Sequence, residues 1–254
     1  MSAPTLPRVT RLAMFLRLLA VQGSWNYETM LGNGIAFALE PALRRLPGGA
    51  SGDAYRAAMA REARYFNSHP YTAALAVGAL ARLELDGEPA DRIERFRSAL
   101  CGPLGSVGDQ LVWAGWLPFC AMLALFAFGL GASPVLAAGL FVAVYNVGHV
   151  WLCAWGLDAG FSGGLRVAAA LGSPAFRQAP QRIVAFGLVL GGAAIPLAAK
   201  RLATTVFCPN VWWAVAFAAG AAVLAIALVR ARGRVQGWHV ALGLLVLVTA
   251  VGAW

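Results

Sequence analysis

Polar and apolar positions divide this chain into two unlike parts. From Gln110 to Leu157 forty-eight residues run without a charge, and Asp109 stands immediately before them. Beyond Asp109, five apolar stretches recur at roughly 111–131, 134–156, 183–199, 211–229 and 238–254. Each is long enough for a helix to cross a hydrocarbon layer of about 30 Å. The separators are turn-like: "GLGASP", the Gly-rich 156–164, "KRLATTVFCPN" and "RARGRVQG".

Before residue 100 the pattern is amphipathic. "RLAMFLRLLAVQGSW" sets Leu12, Phe15, Leu16 and Leu19 on one face, predicting an amphipathic or partly inserted helix. Arg17 interrupts its apolar run and no small-residue cleavage site follows, so it does not read as a signal peptide. After the turn "GGASGD", with Asp53 as N-cap, "AYRAAMAREARYF" predicts a helix with arginines on a polar face. "HPYTAALAVGALARLEL" offers about fifteen apolar residues, too few to span a membrane alone, and predicts a re-entrant or buried helix. "DGEPADRIERFRSAL" predicts a charged, solvated helix with Pro89 near its first turn. The expected fold is an all-α polytopic membrane protein with about five spanning helices. Residues 1–254 form one membrane subunit: 1–100 an amphipathic, partly cytoplasmic or re-entrant helical region, and 101–254 a hydrophobic helical region.

Composition agrees with this pattern. Hydrophobic residues make up 60% of the 254 and charged ones only 12%, against about a quarter in a soluble domain. Nine of eleven acids and twelve of twenty basic residues precede residue 100. The net charge of +9 follows from arginines beside apolar helices, a positive-inside signature that also suits anionic lipid and needs no nucleic acid. Arginine-rich segments 157–182 and 230–237 then lie on the same side as 36–100, with the C-terminus outside. Cys101, Cys120, Cys153 and Cys208 have no disulfide or zinc spacing.

Four stretches mix polar and aromatic residues: "QGSWNYE" (22–28), "YFNSHP" (65–70), "GPLGSVGD" (102–109) and "YNVGHVWLCAWGLDAGF" (145–161). In the first, Gln22, Trp25, Asn26 and Glu28 combine amides, a carboxylate and an aromatic face, which suits a sugar or an interfacial anchor. Asn67 is a cap or turn residue, and His69, held extended by Pro70, a structural or polar-network histidine. Gly102, Gly105 and Gly108 permit tight turns or close backbone contact. Such a segment in a membrane is buried in protein or lines a wet cavity. Asp109 then sits at a helix N-terminus, where the dipole favours a carboxylate by about 0.3–1 kcal/mol, as a cap alone or as a cap that also contacts substrate. No catalytic triad, phosphate-binding loop or metal-ligand cluster is present in the pattern, so the residues read as a polar-lined transporter or subunit and not an enzyme.

In order and spacing these four motifs resemble the IID component of the mannose/fructose/sorbose family of the bacterial phosphoenolpyruvate-dependent phosphotransferase system. The resemblance runs from about residue 12 onward and is dense from 15 to 161. It implies a permease subunit of the inner membrane that pairs with a IIC subunit, in a trimer of IIC–IID pairs. Cytoplasmic IIA and IIB proteins would phosphorylate the incoming hexose, IID itself carrying no phosphate and no cofactor or metal. Family members work as an elevator, a moving core beside a V-shaped scaffold. Matching polar positions are Gln22, Trp25, Asn26, Glu28, Asn67 and Asp109. Gly102, Pro103, Gly105 and Gly108 match as backbone-shaping positions, and Gly156 and Gly160 as glycines closing the second spanning segment. The resemblance thus implies that Asp109 caps the broken start of a core helix and frames the sugar pocket or the IIC contact. Leu117, His149 and Cys153 stand where the family usually has arginine, which keeps open a regulatory or scaffolding protein that retains the IIC contact without transport.

Overall fold

A computed structural model describes residues 6–167, 172 and 174–205. The chain divides into two compact units, Met1–Ala199 and Lys200–Trp254. In the first, α1 (Arg8–Leu18), α2 (Gly32–Leu43), α3 (Asp53–Glu62) and α4 (Ala73–Leu85) precede α5 (Ala90–Gly108). A π-helical segment, Asp109–Trp116, joins α5 to α6 (Leu117–Gly129), and α7 (Pro134–Gly163) and α8 (Pro174–Thr205) follow. Described residues 200–205 of the second unit belong to α8. Among the described residues the fold is all-helical, without named strands.

Among the described residues three helices are long and apolar enough to cross a membrane: Ala90–Gly129, Pro134–Arg166 and Gln178–Thr204. They contain the expected stretches 111–131 (all but its end), 134–156 and 183–199; the expected spans 211–229 and 238–254 lie outside the described residues. The first helix has 40 residues and, at 1.5 Å per residue, is about 60 Å long, twice the thickness of the hydrocarbon layer. Its length therefore exceeds what one crossing needs, and its charges lie in the N-terminal part, up to Asp109. The apolar faces of the other two point outward, Val135, Leu136, Val147 and Trp151 being among the exposed side chains of α7.

The centre of the first unit is α4. Every residue from Ala73 to Ala81 is buried, so "HPYTAALAVGALARLEL" forms a buried helix. Its small residues let α7 approach closely. A Cβ on Gly78 would lie 2.3 Å from the Leu157 carbonyl oxygen, and one on Gly160 would lie 2.2 Å from that of Leu75. Small residues on both sides of a crossing are the standard means of close helix packing where apolar surroundings supply no driving force. Gly156 and Gly160 therefore do not close the segment as expected. They lie inside α7, which ends at Gly163, followed by Gly164 at φ 50°.

The predicted break at "GPLGSVGD" is also corrected. Helix α5 runs through Gly102, Pro103, Gly105 and Gly108, and Asp109 has right-handed helical geometry with no N-terminus beside it. A continuous helix satisfies its own backbone in apolar surroundings, whereas an open turn would leave N–H and C=O groups stranded. The irregularity is the widened π winding that begins at Asp109. Nor is α5 simply solvated: Ile93, Arg97 and Leu100 form a buried face.

Candidate functional site

The connection between α3 and α4 carries "YFNSHP", and three anchors hold it. Arg97 of α5 donates to the carbonyl oxygens of Glu62 (2.9 Å), Arg64 (2.6 Å) and Tyr65 (2.8 Å), and to the Glu62 carboxylate at 3.1 Å. Its guanidinium also lies over the ring of Phe66, which is wholly buried. On the other side, Leu31 N–H donates to Phe66 O (2.9 Å) and Phe66 N–H to Thr29 O (3.1 Å). These two bonds join the residues just after "QGSWNYE" to "YFNSHP" through the backbone.

The third anchor is a hook into α5. Thr72 Oγ1 donates to the Leu104 carbonyl at 2.7 Å and to that of His69 at 3.0 Å. Gly108 lies directly beneath His69, where a Cβ would come within 2.2 Å of the His69 Cβ. The glycine thus serves close approach and not a turn. His69 is only 2% exposed, and its Nδ1 accepts from Tyr71 N–H at 3.2 Å. Trp113 of the π segment meets the imidazole edge-on, centroids 5.3 Å apart. On its other side, Tyr71 stacks on His149 of α7 at 3.8 Å and 11°.

This packing opens a cleft of about 360 Å³ between the loop and α5, lined by Tyr65, Asn67, Ser68, His69, Cys101, Gly102, Gly105, Ser106 and Asp109. Small-molecule clefts run from roughly 300 to 1,000 Å³. Of the predicted residues the cleft brings together Asn67, Asp109, Gly102 and Gly105; Gly108 supports it from behind, and Pro103 lies outside its lining.

Gln22, Trp25, Asn26 and Glu28 are not in the cleft. They occupy a strap between α1 and α2, where Trp25 and Tyr27 pair edge-to-face at 4.8 Å. Asn26 folds that strap: its Oδ1 accepts from the N–H groups of Glu28 and Thr29, and its Nδ2 donates to Thr29 Oγ1 and Ser24 O. Ser68, Ser106, Tyr65, Cys101 and Trp113 were not singled out in the sequence. The one signal for the lining was spacing, since Cys101, Gly105 and Asp109 recur every four residues on one helical face.

The cleft presents hydroxyls, an amide, an imidazole and one carboxylate, and no lysine or arginine lines it. Among the described residues Asp109 is exposed and makes no ion pair. Burial, with a smaller effect from His149, pushes the His69 pKa down to about 4, so the imidazole is neutral near pH 7. Behind the loop, burial pushes the Glu62 carboxyl up to about 8 despite Arg97, with Glu84 adding to the rise. Among the described residues no three His, Cys, Asp or Glu side chains gather to hold a metal ion. The lining therefore suits a neutral, hydroxyl-rich ligand and disfavours a phosphate.

Residues 5–209 match the family described as PTS system mannose/fructose/sorbose family IID component. The chain is 30% identical over 188 residues to the mannose-specific EIID component of Escherichia coli (strain K12), covering 72% of this chain and 65% of that protein. It is 28% identical to the sorbose-specific EIID component of Klebsiella pneumoniae, over 72% of this chain and 67% of that one. Among solved structures, a cryo-EM complex of the mannose transporter ManYZ with microcin E492 is similar, with a TM-score of 0.59 and 28% identity over 74% of this chain and 70% of that one. The chain thus spans slightly under two thirds of the length of the mannose relative. With the family match covering the first spanning helices, the α4 core and the cleft alike, the chain belongs to the IID component family of the mannose/fructose/sorbose phosphotransferase system.

Proposed function

We propose that this chain is the IID membrane subunit of a sugar permease and carries a mannose-type hexose across the bacterial inner membrane as a multi-pass protein of about five spans. It works with a IIC membrane subunit, in a trimer of IIC–IID pairs, and separate IIA and IIB proteins phosphorylate the hexose. The observation that carries the reading is the lining of the cleft. Asn67, Ser68, Ser106 and Asp109 supply neutral donors and acceptors and one carboxylate, and no cation is present to favour a sugar already phosphorylated. The likeness to the mannose transporter ManYZ supports a companion membrane subunit.

The scaffolding reading rests on Leu117, His149 and Cys153. Loss of a buried cation would strand its carboxylate partner at a cost of about 3–5 kcal/mol. Here each buried carboxyl, Glu40, Glu62 and Glu84, lies against an arginine. Cys153 is packed in the core and His149 is stacked on Tyr71. The departures leave no stranded charge among the described residues, and transport remains the better reading.

The test uses membrane vesicles that hold this chain with its IIC and IIA/IIB proteins, supplied with phosphoenolpyruvate and the general phosphotransfer proteins. Labelled hexose phosphate is expected to form only when this chain is present. Equal product without it, or none from vesicles holding an intact IIC–IID complex, contradicts the proposal.

A further inference from the structure

We propose that His69 is a positioning residue for the sugar, a neutral imidazole whose Nε2–H donates one hydrogen bond to a hydroxyl oxygen of the hexose. This rests on the reading of the cleft as a sugar site. Three observations lead to it. His69 walls the cleft together with Asn67, Ser106 and Asp109. Its Nδ1 already accepts from Tyr71 N–H, which places the proton of the neutral ring on Nε2. That Nε2 is buried and has no hydrogen-bond partner among the described residues, and a buried donor left without a partner is a cost that folded proteins avoid except where function uses the group.

The ring is held so that it has one direction to offer. Gly108 closes one side, Thr72 grips the His69 carbonyl, and Tyr71 lies against it edge-on. A further neighbour is Trp113, which is 50% exposed and meets the imidazole edge-on. The proposed bond requires this half-exposed indole to turn aside, so that Nε2 reaches the ligand face to which Asn67 and Asp109 belong. A donor of this kind distinguishes a hydroxyl oxygen from a bare carbon at one ring position, because the missing oxygen leaves the donor orphaned again.

The experiment measures binding of the parent hexose and its set of monodeoxy analogues to the purified IIC–IID complex, for the native protein, His69→Phe and His69→Gln. In the native complex one analogue is expected to bind about tenfold more weakly than the parent, the loss of one net hydrogen bond. His69→Phe should weaken the parent by a similar factor and leave that analogue indistinguishable from it. His69→Gln, which keeps an amide donor, should restore part of the difference. An unchanged deoxy profile in His69→Phe overturns the role of His69 while leaving the sugar site standing. No binding of any hexose to the native complex overturns the sugar reading itself, and this inference with it. Where His69→Phe fails to assemble, the native complex labelled with [15N]histidine decides. A downfield shift of the His69 Nε2–H proton on adding the hexose supports the bond, and an unmoved resonance contradicts it.

Discussion

Gly108 and His69 are packed so closely that a single methyl group on the glycine would fall 2.2 Å from the histidine Cβ, and 2.8 Å from the hydroxyl of Thr72. Neither neighbour can retreat easily, because Thr72 is hydrogen-bonded to the Leu104 carbonyl in the same helix. Gly108→Ala is therefore expected to push the 65–72 loop away from α5 at a cost of about 1–3 kcal/mol. Thermal unfolding of the IIC–IID complex measures the loss, and hexose binding should fall with it.

Gly102 is the contrasting case. A Cβ there meets nothing within 4 Å, and the residue lies in the helix and not in a turn. Gly102→Ala is expected to be neutral or to stabilise by about 0.5–1 kcal/mol through helix propensity. A melting temperature that falls as far as that of Gly108→Ala would show the backbone-shaping role that the helix denies it.

The difference between these two glycines marks how far the sequence was legible. Charge-free runs predicted the apolar helices at 111–131, 134–156 and 183–199, because composition over twenty residues is a strong signal. The buried helix α4 followed from an apolar stretch too short to span. The winding at Asp109 was not legible. Glycine and proline spaced three apart describe a turn in water, and the same residues describe a close helix contact when the surroundings supply no water to an open backbone. The sequence offered Asn67 and Asp109 as candidates and the structure brings both into one cleft, but the pairing of their segments depends on Arg97. The one signal in "DRIERFRSAL" is spacing: Arg97 falls on the Ile93–Leu100 face of the helix, whereas Arg92 and Arg95 face outward.

Arg97 donates to three backbone carbonyls and to one oxygen of the Glu62 carboxyl, so Arg97→Ala leaves four acceptors short of a donor, two of them on the wholly buried Glu62. The expected cost is about 3–5 kcal/mol. Arg92→Ala removes an exposed pair with Glu88 and is expected to cost at most about 0.5 kcal/mol. Unfolding of the two variants side by side checks the contrast.

Glu62 and His69, both outside the spans, predict opposite pH slopes. Glu62, whose pKa rises from 4.5 to about 8 in the fold, binds its proton more tightly folded than unfolded. Its contribution is complete below 4.5 and is lost as pH rises through about 8. His69, lowered from 6.5 to about 4, contributes fully above 6.5 and loses that contribution as pH falls towards 4. Between pH 6.5 and 8 only the Glu62 slope remains, set by its burial and by the facing Arg97, Arg61 and Glu84. Stability of the native complex is expected to decline across that window, and Glu62→Gln should flatten the decline.

The central claim is that the cleft between Asn67 and Asp109 holds the sugar. It is tested most directly by phosphoenolpyruvate-dependent formation of hexose phosphate in vesicles carrying Asn67→Ala or Asp109→Asn, with assembly of the IIC–IID complex measured in the same preparations. Both side chains are exposed in the cleft and neither supports the packing around it. Product formation is expected to fall at least tenfold in each variant while the complex stays intact. Native rates in both, from complexes equally intact, would contradict the account.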